Sequence, residues 1–138
     1  MKKLIILALC IINYAFGFAQ NYVELDKISD IRAQEEGTYV IYTGKATTTF
    51  YGPGGILIQD ETGGLYIQTQ SKINFVAGDS IKGISGTYHA YENEAPYLDL
   101  KSVTNINKLS SDNLNSIEYE EVTMEDLSIN PEKYASRV

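Results

Sequence analysis

The sequence has one cysteine, one histidine and no cluster of basic residues, and each shortage closes off a class of chemistry. Cys10 lies in an apolar N-terminal run, so the chain beyond it has no disulfide and no thiolate metal site, and its core must rest on packing alone. His89 stands between Tyr88 and Ala90 at the end of a strand-like segment, with no nucleophile motif nearby, and reads as a solvated edge histidine rather than the base of a catalytic triad. Carboxylates are plentiful, but Asp60, Glu61 and Asp79 fall in turns, where Asp stabilises the bend through its own backbone. Glu92, Glu94 and Asp99 are scattered, and Glu118 to Glu121 reads as a solvated linker. A glycosidase needs two carboxyl groups facing across a pocket, and no loop has the alternating ligand spacing of a calcium site. The chain is therefore read as non-catalytic, with no metal and no cofactor.

Lys2 and Lys3, an apolar run from Leu4 to Ile12, and Gly17-Phe18-Ala19 have the layout of a secretory signal peptide cut between Ala19 and Gln20. A membrane anchor would need ~20 apolar residues, and Asn13 interrupts this run. A lipidated Cys10 is the other alternative, but Leu9 is bulky for that cleavage, which makes an outer-membrane lipoprotein the lesser reading. The expected location is secreted or periplasmic, with no transmembrane segment after cleavage. The 119 residues from Gln20 to Val138 keep nine Lys and Arg against 18 Asp and Glu, a net charge of about −9. Nucleic-acid binders draw much of their affinity from clustered cations on phosphates, and none of the nine forms a run.

Beyond the leader, Leu25, Ile28 and Ile31 recur at three-residue spacing, which predicts a short helix within 23–33 that ends before Gly37. Thr38 to Phe50 is rich in Tyr, Val, Ile and Thr and predicts one long strand, with Gly44 marking a bend or bulge. Ile56 to Gln59 and Leu65 to Thr69 predict a hairpin turned at Asp60-Glu61-Thr62-Gly63-Gly64. Gly78-Asp79 leads into a fourth strand, Ser80 to Tyr88. Pro96 to Val103 is the fifth, after a polar tip at Glu92-Asn93-Glu94. The five are expected to be antiparallel and curled, with Val40, Ile58, Leu65, Ile67, Ile81, Ile84, Leu98 and Leu100 in the core.

Three stretches carry a resemblance: 39–47 (Tyr39-Val40-Ile41-Tyr42-Thr43-Gly44-Lys45-Ala46-Thr47), 58–67 with its Asp60-Glu61-Thr62-Gly63-Gly64 turn, and 77–87 with its Gly78-Asp79-Ser80-Ile81 turn. Together they resemble extracellular bacterial OB-fold modules of unknown function, which are similar to the OB modules of secreted nucleases. The resemblance covers about residues 23–106 and implies an all-β, five-stranded, Greek-key OB barrel with a short N-terminal helix and a short helical C-terminal segment. It rests on turn and core positions and transfers no catalytic residue. The expected organisation is 1–19 signal peptide, 20–37 helical lead-in, 38–106 barrel and 107–138 linker. Met124-Glu125-Asp126-Leu127 and Asn130-Pro131-Glu132-Lys133-Tyr134 match the lead-in around Ile28-Ser29-Asp30-Ile31. They read either as the stub of a second OB module or as a helix, capped through Thr123 and Asp126, that packs on the barrel.

The functional candidates are aromatic. Tyr51, Tyr66, Tyr88, Tyr91 and Tyr97 lie on or beside strands of an OB binding face, where tyrosines stack on bases or sugar rings. Gln59 and Gln68 flank Tyr66 and suit hydrogen bonds to a ligand. Tyr is also simply a good strand residue with an apolar body and a wet tip. The leading expectation is a secreted, non-catalytic binding or interaction module whose partner is another extracellular protein, a glycan or an oligonucleotide. The alternative is a nucleic-acid-binding accessory module of an extracellular nuclease system.

Overall fold

In the computed structural model, residues 22–91, 95–101, 105–117 and 121–129 are described. The leader 1–19 with Cys10, the tip Glu92–Glu94, the end of the expected fifth strand at 102–103, most of the acidic run at 118–120 and the segment 130–138 lie outside them.

The elements run β1 (Tyr22–Leu25), α1 (Ile28–Arg32), β2 (Tyr39–Tyr42), β3 (Ala46–Gly52), β4 (Gly55–Asp60), β5 (Gly63–Thr69), β6 (Ser80–Lys82), β7 (Ile84–His89), β8 (Tyr97–Leu100), β9 (Asn107–Ser110), a 3-10 turn (Leu114–Ser116) and α2 (Met124–Ile129). The strand order is β1-β2-β7-β8-β5-β4-β3-β6-β9. β2 and β3 are two halves of one long strand broken around Gly44, and β6 and β7 are halves of another broken at Gly83. β2 pairs β7 while β3 pairs β6, so the sheet curls back on itself. Counted as whole strands, the pairing runs first–second–third–fifth–fourth–first, which is OB topology.

Both breaks have a physical cause. Gly83 has φ +81, a left-handed conformation costly for other residues. A Cβ on Gly44 would run into the Asp26 carbonyl oxygen and, at 2.6 Å, into the Tyr42 ring. The glycine lets the strand bend while the Tyr42 phenol passes beneath it.

The structure corrects the sequence reading in three places. The fifth strand pairs the third in parallel, Tyr66 opposite Tyr97 and Thr69 opposite Leu100, so the barrel is not wholly antiparallel. Residues 22–25 form a strand parallel to β2 rather than the start of the lead-in helix, and only Ile28–Arg32 is helical. Leu25 therefore reaches the core from a strand, although its spacing to Ile28 imitates a helix. Asn107–Ser110, expected as linker, is a strand on β6. Buried Asp79 holds it there, accepting from Lys108 Nζ at 2.8 Å and from Ser111 Oγ at 2.8 Å. Ile106 and Ile117 are buried, so the barrel unit extends to Ile117.

All eight expected core residues are fully or almost fully buried, together with Ile28, Ile31, Tyr42, Ile56 and Tyr88. α1 closes one end of the barrel with Ile28 and Ile31 turned inward.

Candidate functional site

Residues directly opposite one another in a sheet share a face. Phe50 on β3 stands opposite Leu57 on β4, Leu57 opposite Tyr66 on β5, Tyr66 opposite Tyr97 on β8, and Tyr97 opposite His89 on β7. These five positions form one continuous row across the outside of the barrel, all at least partly exposed, with Phe50 at 60%. A second outward row beside it runs Gly52, Gly55, Gln68, Asp99, Thr87 and Tyr39.

The glycines of the second row shape the first. Gly52 and Gly55 face each other where β3 turns into β4. The Phe50 ring lies against Gly52, 3.1 Å from where a Cβ would stand. The Tyr66 ring lies over Gly55, where a Cβ would come within 2.6 Å of its Cζ and would also strike the Ile67 carbonyl oxygen. Two aromatic rings thus lie against a pair of glycines and form an aromatic platform on the outer face.

A β-bulge decides which aromatic joins the row. Thr48 pairs Ile58, but the next pair is Phe50 with Leu57, so Thr49 is an extra residue on β3. Without it Phe50 would point into the barrel and Tyr51 outward. With it, Tyr51 pairs buried Ile56 and leaves from the inner side at the barrel rim, 52% exposed.

At the other end of the row, His89 stacks on Tyr97 with ring centroids 5.1 Å apart and on Tyr91 at 5.7 Å. Glu36, from the loop after α1, holds this cluster. Its Oε1 lies 2.7 Å from His89 Nδ1, and its Oε2 accepts the Ala90 N–H at 2.6 Å. The carboxylate can only accept, so Nδ1 carries the hydrogen. The Ala90 N–H, then the His89 contact, hold the Glu36 carboxyl below the usual carboxylate range. Beyond Glu36 an open groove continues, lined by Val23, Gln34, Glu35, Tyr39 and Thr87.

Of the residues singled out from sequence, Tyr66 and Gln59 are half-buried on the outer face, Gln68 is exposed beside them, and Tyr91 (49% exposed) stands next to His89. Tyr97 lies in the row itself. Tyr51 belongs to the rim. Tyr88 is a core residue, 2% exposed, and its hydroxyl donates to the Arg32 carbonyl at 3.1 Å. His89 is not simply the solvated edge histidine expected, being stacked on two tyrosines and hydrogen-bonded to Glu36. Sequence reasoning missed Phe50, Leu57, Glu36 and Asp99. Leu57 and Asp99 were visible as alternation partners of buried Ile58 and Leu98, but the Glu36–His89 contact joins residues 53 apart in the chain and has no local signal.

The signature turns proved structural. Asp60 Oδ1 accepts from Thr62 N, Thr62 Oγ1 and Gly63 N, and Oδ2 from Ile28 N and Tyr42 Oη. Burial, then the Asp60 charge, push the Tyr42 phenol far above its usual range, so it remains a donor. Among the described residues no group of three or more His, Cys, Asp or Glu is placed to hold a metal ion.

No protein-family model matches the chain, and no curated protein matches it. Among solved structures it is similar to the p202 HIN2 domain, at 19% identity and TM-score 0.48, over 64% of this chain and 50% of that one. It is similar to the hypothetical protein ygiW from E. coli, at 12% identity and TM-score 0.46, over 64% of this chain and 90% of that one. It is also similar to the OB domain of MM0293 from Methanosarcina mazei, at 21% identity and TM-score 0.46, over 64% and 85%.

Proposed function

We propose that this chain is an exported, non-catalytic binding module that takes its ligand on the outer face of the barrel, across β3, β4, β5, β8 and β7. The observation that carries the reading is the register-matched row Phe50, Leu57, Tyr66, Tyr97 and His89, with two rings laid on Gly52 and Gly55. Exposed apolar rings cost free energy in water and suit a ligand with flat apolar faces. Export is supported by the leader-like residues 1–19, and among the described residues no helix is long and apolar enough to cross a membrane.

The alternative, an accessory module for nucleic acid, uses the same stacking surface. It is disfavoured because β3, β4, β5, β7 and β8 contain no Lys or Arg, so a phosphate backbone would find no cation on these strands.

The test is a binding screen over polysaccharides, oligonucleotides and peptides with three proteins. The wild type is compared with Phe50→Ala/Tyr66→Ala and with Leu109→Ala, which removes an exposed apolar side chain (45%) on the far edge strand β9. Binding lost only in the double variant supports the site. Binding kept in the double variant places it elsewhere and ends this reading.

A further inference from the structure

Resting on that site, we infer that its ligand is a neutral oligosaccharide, laid across the strands with its rings on the Phe50–Tyr66 platform and one end in the groove beside Glu36. The inference comes from what accompanies the aromatic rings. The outward positions next to the row are Gln68, Asp99 and Thr87, and the groove adds Glu35, Glu36, Gln34 and Thr38. These are amides, hydroxyls and carboxylates, and neither the groove lining nor the five strands of the face include a Lys or Arg.

That set matches the surface of a sugar. A pyranose offers an apolar patch of C–H groups for an aromatic ring and a rim of hydroxyls for acceptors and amides. A carboxylate makes its strong hydrogen bonds with such hydroxyls as donors. The same carboxylates repel phosphates, sulfates and uronic acids, and the net charge of −7 for the whole chain repels them at longer range.

The geometry also sets a length. From β3 to β7 the row crosses four inter-strand gaps of about 4.8 Å, or about 19 Å along the curved surface, which accommodates about four sugar rings. Affinity should therefore grow with chain length to about four rings and then level off.

The experiment is isothermal titration of the chain with soluble neutral polysaccharides (xylan, galactomannan, hydroxyethyl cellulose, dextran). Polygalacturonate, chondroitin sulfate and poly-dT are titrated in parallel, each at low and high salt. The expected result is binding to at least one neutral polymer, with a Kd that salt leaves nearly unchanged, because no counterions are released. Phe50→Ala should weaken it about tenfold. Phe50 is 60% exposed, so this variant keeps the fold, and an unchanged thermal midpoint verifies that. Salt-sensitive binding of poly-dT or an anionic polysaccharide, lost in Phe50→Ala, would overturn the neutral-sugar inference while keeping the site. Neutral-polymer binding indifferent to both Phe50→Ala and Phe50→Ala/Tyr66→Ala would overturn the inference and the site together. No binding to any neutral polymer would overturn the inference alone.

Discussion

Asp60 Oδ2 accepts the Ile28 N–H at 2.9 Å, so a hairpin turn caps a helix 32 residues earlier in the chain. Thr62 Oγ1 adds the next cap, accepting from Ser29 N at 3.0 Å. α1 has no side-chain cap of its own at Lys27, and a five-residue helix is marginal without help. Asp60→Ala should cost about 3 kcal/mol, because it removes the cap and leaves the buried Tyr42 hydroxyl without its carboxylate. Thr62→Ala should cost about 1 kcal/mol. Urea melts at unchanged slope would read both losses, and equal costs for the two variants would refute the view of Asp60 as the hub.

Asp79 does for β9 what Asp60 does for α1. Burial pushes its carboxyl up, but Lys108, the Val76 N–H and Ser111 outweigh this and hold it below the usual value of 3.8. A carboxylate with a lowered folded pKa contributes stability above its unfolded pKa, and that contribution is lost as pH falls through the folded value. The wild type should therefore hold this contribution at pH 5 and lose it progressively below about pH 4. Lys108→Met should lower stability near neutrality by about 1 kcal/mol and start the acid loss at higher pH. Thermal melts from pH 2 to 7 would check this. An acid limb identical in both proteins would mean that the ion pair contributes nothing.

Thr48 is fully buried, and its hydroxyl has no hydrogen-bond partner among the described residues. Valine has nearly the same shape without the polar atom. Thr48→Val should be neutral or raise stability by about 1 kcal/mol, since an unsatisfied buried hydroxyl is removed at little cost in packing. A drop of more than 1 kcal/mol would show that the hydroxyl is satisfied in solution.

Phe50 and Tyr51 are neighbours with nearly equal exposure, 60% and 52%, yet they leave β3 on opposite sides. Phe50→Ala should weaken ligand binding about tenfold, and Tyr51→Ala should change it less than twofold. Equal effects would place the ligand at the barrel rim rather than on the outer face. This pair also marks the limit of what the sequence discloses. Alternation identified the eight core residues because burial on one face repeats every second residue. It misplaced the outward-facing aromatics because one inserted residue reverses the alternation, and β-branched Thr47, Thr48 and Thr49 do not reveal which of them is extra. The parallel pairing of β5 with β8 was hidden for a related reason: pairing direction is a property of the whole chain path, while strand propensity is local. Tyr88 was misassigned to the surface because a tyrosine whose hydroxyl meets a carbonyl in the interior looks, in sequence, like one that meets water.

In α1, Ile28 is fully buried, whereas Met124, its counterpart in the matching stretch, is 81% exposed and Ile129 is 65% exposed. α2 caps itself: Thr123 Oγ1 accepts the Asp126 N–H at 3.1 Å, and Thr123 N donates to Asp126 Oδ2 at 3.2 Å. It thus supplies locally what α1 takes from Asp60 and Thr62. Deleting residues 121–138 should cost about 1 kcal/mol or less, the range of changes away from a core. Deleting from residue 107 should be severe. It removes β9, the buried Ile117, both side-chain partners of Asp79 in this segment and the Asn113 N–H bond to the Gly78 carbonyl. Losing the Lys108 and Ser111 bonds to a buried carboxylate alone should cost about 3 kcal/mol. Urea midpoints of the two truncations separate the possibilities. A small loss for the first with a large loss for the second fixes the unit at Ile117. A large loss for both would mean that α2 covers the barrel, and α2 could not then be the start of a second module.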